Sequence, residues 1–193
     1  MIEIISERLG GLFLPPDDRA SGEPIDYELG GIGIGDSSEG STYQIWVAIT
    51  DGVSIWIHPE NSPETKTYIT SGDGITFIAL AFDQLMRPTV AYTDNTGTKL
   101  YWYDSIIQDY TTTTFPGAKS PKLTLDLKNK TASDSGLSDI QFFYIKNNKV
   151  YHRTQRDRYG IEYDLGGGEA HRISRVGMCA DWRLRVEVFF RTE

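Results

Sequence analysis

The sequence predicts an all-β fold built from four antiparallel repeats. Three observations carry that expectation. Short alternating or apolar runs rich in Thr, Tyr, Ile and Val show almost no helical periodicity, Gly, Asn, Asp and Pro punctuate them, and two pairs of segments repeat at a distance. The 193 residues fit one domain that can bury a core without disulfide staples.

Taken in order, residues 2–8 and 24–29 read as strands with no partners before them, joined by a loop over 8–23 that contains Pro15-Pro16-Asp17-Asp18. A hairpin runs from 43–50 through Asp51-Gly52 into 53–58, the Asp-Gly pair supplying the positive φ angles of a tight turn. A second joins 88–93 through Asp94-Asn95-Thr96-Gly97 to 100–104, with Pro88 opening its strand, where a missing amide proton costs little. A third joins 141–146 through Asn147-Asn148 to 149–154. Residues 128–138 read as a surface insertion in the third repeat. Cys179, the only cysteine, excludes an internal disulfide and reads as a small core residue in a strand.

Segment 81–92 matches 179–190 as strand, Asp, short turn, Arg, strand, and segment 25–31 matches 161–167. Runs over 31–36, 75–83, 122–126 and 173–181 each end near an Asp. Their starts are spaced close to the roughly 40 to 50 residues of one propeller blade. The last set stops after two strands, and the two unpartnered N-terminal strands would complete it. The expected architecture is therefore a four-bladed β-propeller closed by its N- and C-terminal strands, with blades over 172–193 plus 1–30, 31–71, 75–117 and 121–168. A β-sandwich or a stack of antiparallel hairpins is the alternative.

Charge narrows the partners. A formal net charge of -8 repels phosphate backbones and anionic lipid, so neither specific nucleic-acid binding nor membrane binding is expected. The N-terminus carries acidic residues where a signal peptide carries basic ones, and no apolar run approaches the roughly 18 residues of a membrane helix.

Few residues suggest chemistry. His58, His152 and His171 are scattered without zinc-ligand spacing, and no nucleophile elbow or phosphate-binding loop occurs, so no metal, cofactor or catalytic residue is assigned. Glu162 and Asp164 flank Tyr163 on an ordinary solvent face. Asp36, Asp83, Asp126 and Asp181 fall at equivalent corners, where carboxylates either ring a channel mouth and bind a cation or cap turns. Arg87 and Arg185 are placed either to fork an acidic ligand or to pair with their own repeat's Asp83 and Asp181. Trp56, Trp102 and Trp182, one per blade, are candidate stacking platforms for a sugar or contacts for a protein, against the alternative of packing between blades.

Two resemblances follow from these residues. Ser71-Gly72-Asp73-Gly74-Ile75-Thr76-Phe77 and Ala132-Ser133-Asp134-Ser135-Gly136-Leu137-Ser138 resemble shortened versions of the Ser-x-Asp-x-Gly-x-Thr-Trp turn of sialidase-type propellers. That resemblance implies blades and not hydrolysis, because such turns are structural there. The acidic, Thr- and Tyr-rich, short-hairpin style of the whole chain resembles tail and other virion structural proteins of short-tailed bacteriophages. It implies a non-enzymatic structural module in the virion tail, docking onto neighbouring virion proteins or further copies of itself. A carbohydrate-binding, lectin-like or receptor-binding propeller contacting a surface glycan is the alternative expectation, and a glycan-processing enzyme the third.

Overall fold

The computed structural model describes residues 2–7, 31–36, 43–83, 85–126, 139–178 and 184–190, and within them every regular element is a strand. The first strand is β1 (Ile2–Glu7). The first sheet holds β2 (Gly31–Asp36), β3 (Tyr43–Thr50), β4 (Ser54–Pro59) and β5 (Thr67–Ser71). The second holds β6 (Phe77–Phe82), β7 (Pro88–Asp94), β8 (Gly97–Asp104) and β9 (Asp109–Phe115). The third holds β10 (Lys119–Leu125), β11 (Ile140–Lys146), β12 (Lys149–Thr154) and β13 (Tyr163–Gly166). A terminal sheet joins β14 (Ala170–Met178) and β15 (Leu184–Phe190) to β1. The repeat spacing thus marks real boundaries: each of the three four-stranded sheets is an antiparallel meander in sequence order.

Turn chemistry sets the registers. Asn147 and Asn148 both have positive φ, 51° and 59°, and join the paired Lys146 and Lys149 by a two-residue turn that matches strand twist. The Asp51 loop departs from the expected tight turn. Only Gly52 has positive φ, and the Asp51 carboxylate accepts from the amides of Val53 and Ser54, so a side chain closes a wider loop. The β7–β8 turn is tighter than expected, because Asp94 already pairs with Gly97.

Alternation directs the packing. In β8 the buried side chains are Thr98, Leu100, Trp102 and Asp104, while Lys99, Tyr101 and Tyr103 are half-buried on the other face. In β11 both faces are buried: Phe142 and Tyr144 turn toward the second sheet, Phe143 and Ile145 toward the terminal sheet. Three cores result. Ile55, Ile57, Ile78, Leu80 and Val90 join the first and second sheets; Leu100, Trp102, Phe115, Phe142 and Tyr144 the second and third; Phe143, Val150, Ile173, Val186 and Val188 the third and terminal. The leading strands follow one another across these interfaces, β2 beside β6, β6 beside β10 and β10 beside β14. Ser120 fastens the last step, its hydroxyl accepting from the Ile173 amide at 2.9 Å.

The chain ends do meet in one sheet, but the N-terminal strand does not join it antiparallel. The order is β1-β15-β14, with β1 parallel to β15 and Ile2 opposite Leu184. No hairpin links strands from opposite ends of the chain, so nothing in the connection imposes antiparallel pairing. Among the residues whose side chains are described, which do not include those of β1 and β2, the three cores show no closed propeller. The strand expected at 24–29, the 8–23 loop, the 128–138 insertion, the second sialidase-like turn and Cys179 lie outside the described residues. The first such turn is described. It ties two sheets together, as Asp73 accepts from the amide of Asn95 through its carbonyl and from the Asn95 side chain through its carboxylate.

Candidate functional site

Of the corner aspartates whose side chains are described, Asp83 caps a turn and Asp126 bridges to the start of the next strand. The Asp83 carboxylate accepts from the amides of Leu85 and Arg87 and pairs with Arg87 Nε at 2.6 Å. Arg87 also lies over the Tyr103 ring, 4.2 Å from its centroid, so it serves its own repeat's Asp. Asp126 is buried and accepts from the Asp139 amide at 3.1 Å and from Gln141 Nε2 at 3.3 Å. The Gln141 carbonyl in turn accepts from His152 Nε2 at 2.6 Å, a chain that uses the histidine inside the fold. Asp36 ends β2, and Asp181 lies outside the described residues. Among the described residues no group of His, Cys, Asp and Glu is arranged to hold a metal ion.

The tryptophans divide. Trp102 is 3% exposed, donates from its indole to Thr113 Oγ1 at 3.1 Å and packs edge-on to Tyr159, so it belongs to the core and offers no face to a sugar. Trp56 is half-buried, opposite Ile49 and Tyr68 in the strand ladder. Arg185 is exposed on β15, and Trp182 lies outside the described residues. The structure therefore does not bring Trp56, Trp102, Arg87 and Arg185 into one site.

It does bring together other residues, of which only Glu162 stood out in the sequence. A cleft of about 330 Å³ opens between the end of β9 and the β12–β13 connection. Thr113, Thr114 and Phe115 form one wall; Lys146, Arg153 and Glu162 form the other. Alternation explains the second wall, because Tyr144 and Lys146 of β11 and Arg153 of β12 share the face toward the second sheet. Arg153 is the hub. It donates through Nε to the Tyr144 hydroxyl at 2.8 Å, through Nη1 to the Tyr159 and Gly160 carbonyls at 2.6 and 2.9 Å, and through Nη2 to Glu162 at 2.8 Å. Tyr144 donates to the same carboxylate, and Lys146 Nζ lies 3.4 Å from its other oxygen. The Arg153 guanidinium also sits over the Phe115 ring, 5.0 Å from its centroid.

The connection that closes the cleft is held in an unusual backbone state. Arg158 and Tyr159, neither a glycine, have φ of 52° and 56°. Arg153 grips this segment by its carbonyls, the Tyr159 ring anchors it inside the core, and Arg158 bridges to Asp104 of the second sheet. The Tyr159 hydroxyl lies near Thr89 but makes no well-formed hydrogen bond among the described residues.

These contacts set protonation. Burial on its own would raise the Glu162 carboxyl, but the hydrogen bonds from Tyr144 and Arg153, with Lys146 beside them, outweigh it and hold Glu162 below the ordinary glutamate value. Burial and the Glu162 carboxylate push the Tyr144 phenol well up, so it stays protonated and acts as a donor. Arg158 holds Asp104 down, and at Asp94 the bonds from Lys99 and Thr96 overcome the effect of burial. Because these folded-state values are depressed, their stabilisation is complete above the unfolded carboxylate range and is lost as pH falls through the folded values. The urea midpoint is expected to hold level from about pH 7 to about pH 5 and to drop below about pH 4; a midpoint that rises on acidification to about pH 3 would contradict these pairings.

Glu162 and Asp164 are not a working pair. Glu162 turns in to Arg153, whereas Asp164 pairs outside with Lys149 at 2.8 Å. The signal for the cleft was the run Tyr144-x-Lys146 and Tyr151-x-Arg153 on either side of the Asn-Asn turn, which puts two cations on one face of a hairpin. No protein-family model, no curated protein and no solved structure matches the chain.

Proposed function

We propose that the chain is a non-enzymatic binding and assembly module whose sheets stand as blades around one axis. The succession of leading strands β2, β6, β10 and β14 supports the propeller form, and the meander within each four-stranded sheet suits it. The observation that carries the assembly reading is a set of exposed apolar side chains on turns at one end of the second and third sheets. Leu85 lies in the β6–β7 turn, Ile106 and Ile107 in the β8–β9 turn, and Ile161 just before β13, with Ile106 69% exposed. Antiparallel pairing puts the first two turns at the same end, and the Arg158–Asp104 bridge draws the β12–β13 connection to it.

Apolar side chains at a shared end, rimmed by the exposed guanidiniums of Arg156 and Arg158, suit a protein partner with an acidic rim around an apolar centre. A further copy of this chain, at net charge -8, has that sign. A bacteriophage tail component, docking onto neighbouring virion proteins, is the narrowest form of this reading, and a glycan-binding module is the alternative. Pairing of the cleft's ionisable groups with one another supports binding over catalysis. Light scattering across a concentration series, with a glycan array on the same sample, tests it. The expected result is a defined oligomer that I106E/I107E returns to monomer, with no glycan signal; a monomer that binds a defined sugar overturns the assembly reading.

A further inference from the structure

Beyond the assembly surface, the cleft between the second and third sheets has a chemistry of its own. Lys146, Arg153 and Arg158 line it against the single carboxylate of Glu162, a local cationic excess in a chain of net charge -8. Their donor capacity is not used up inside the fold. Lys146 Nζ lies 5.8 Å from the Tyr151 ring centroid and reaches Glu162 at 3.4 and 3.5 Å, longer than a strong ammonium–carboxylate bond. Arg158 spends Nε and Nη2 on Asp104, its Nη1 has no partner among the described residues, and its side chain is 51% exposed. Arg153 between them is fixed by four partners and two aromatic rings, so its charge is held in place before any ligand arrives. The positive φ of Arg158 and Tyr159 is a second, independent sign, since strain of this kind persists where the surroundings impose it and gathers at ligand clamps.

We propose that this cleft binds a carboxylate group, seated between Lys146 and Arg158 with Arg153 behind it. The fold already shows how its groups receive such an anion: Glu162 is held by a phenol, a guanidinium and an ammonium, and Asp104 by the fork of Arg158. The planar, two-oxygen carboxylate is the form in which these groups already receive an anion, Asp104 on the Arg158 fork and Glu162 on Arg153, and that geometry favours it over a tetrahedral phosphate. The volume, about 330 Å³, is at the lower end for ligand sites and accepts a small organic acid or one acidic side chain of a partner.

The test is a titration of the whole chain, followed by amide chemical shifts and calorimetry, with succinate, an Asp/Glu-containing peptide, the matching Asn/Gln peptide, phosphate, and sodium chloride at equal ionic strength. The expected result is saturable binding of a carboxylate probe, weakened about tenfold by K146Q, retained by K146R and unchanged by K149Q, whose lysine pairs with Asp164 outside the cleft. Tighter binding of succinate identifies a free acid as the ligand, and tighter binding of the acidic peptide over its amide counterpart identifies a partner's side chain. A response no larger than that to chloride, phosphate binding at least as tight as carboxylate, or equal effects of K146Q and K149Q overturns the proposal. None of these outcomes bears on the I106E/I107E result, so the two readings fail separately.

Discussion

Arg153→Ala is expected to destabilise the fold by about 3 kcal/mol, read as a lower urea midpoint at pH 7. The side chain is 14% exposed, and its removal strips a neutralising cation from Glu162, a partner from the Tyr144 hydroxyl and donors from two backbone carbonyls. The loss comes chiefly from what is left unpaired: a half-buried carboxylate beside a phenol, and the carbonyls of a connection already held at positive φ. Arg153→Lys keeps the charge and forfeits the fork, so it should fall between wild type and alanine. R153M/E162Q should cost less than its two single changes added together, because the second removes the stranded charge. In R153A the acid limb of the stability profile should move to higher pH, as Glu162 loses a group that holds its carboxyl down. An R153A midpoint within error of wild type would mean that the hub carries no stability.

Phe142→Ala is expected to cost about 4 kcal/mol, a large part of the stability of an ordinary domain. Phe142 is fully buried at the interface of the second and third sheets, with ring centroids of Tyr144, Phe115 and Tyr159 at 4.9, 5.1 and 6.3 Å. Truncation removes the ring at the centre of this aromatic group and leaves a cavity that the rigid ladder on either side cannot close. Phe143→Ala, one residue along and equally buried, empties the opposite interface, where it stacks on His152 at 4.7 Å. Hydrogen exchange separates the two: F142A should release protection in β9 to β11, and F143A in β14 and β15. Equal patterns in both variants would contradict two independent cores sharing one sheet.

Much of the strand layout was legible because it depends on neighbours in sequence. The alternation of Leu100, Trp102 and Asp104 predicts a strand with one buried face, and Asn147-Asn148 predicts the tight turn that positive φ at both residues bears out. The runs ending at Asp36, Asp83 and Asp126 are the leading strands of three sheets, and the capping role of Asp83 follows from a short carboxylate placed just past a strand end. The packing of Trp102 between sheets was one of two roles open to an aromatic on an alternating strand. Only the sheet on its far side chose between them.

What the sequence determined by itself is the strand repeat, the Asn147-Asn148 turn and the meander within each four-stranded sheet, since these rest on side-chain alternation and local backbone preference. Tertiary structure alone decided the rest. The direction of β1 against β15 is set by the meeting of two chain ends that share no turn. The cleft exists because Arg153, on a hairpin of the third sheet, meets Phe115 at the end of β9, and because Arg158 reaches Asp104, 54 residues away in sequence. Such contacts leave no period in the chain: their energy comes from ion pairing and ring packing between sheets, which depends on where strands lie and not on how residues alternate along them.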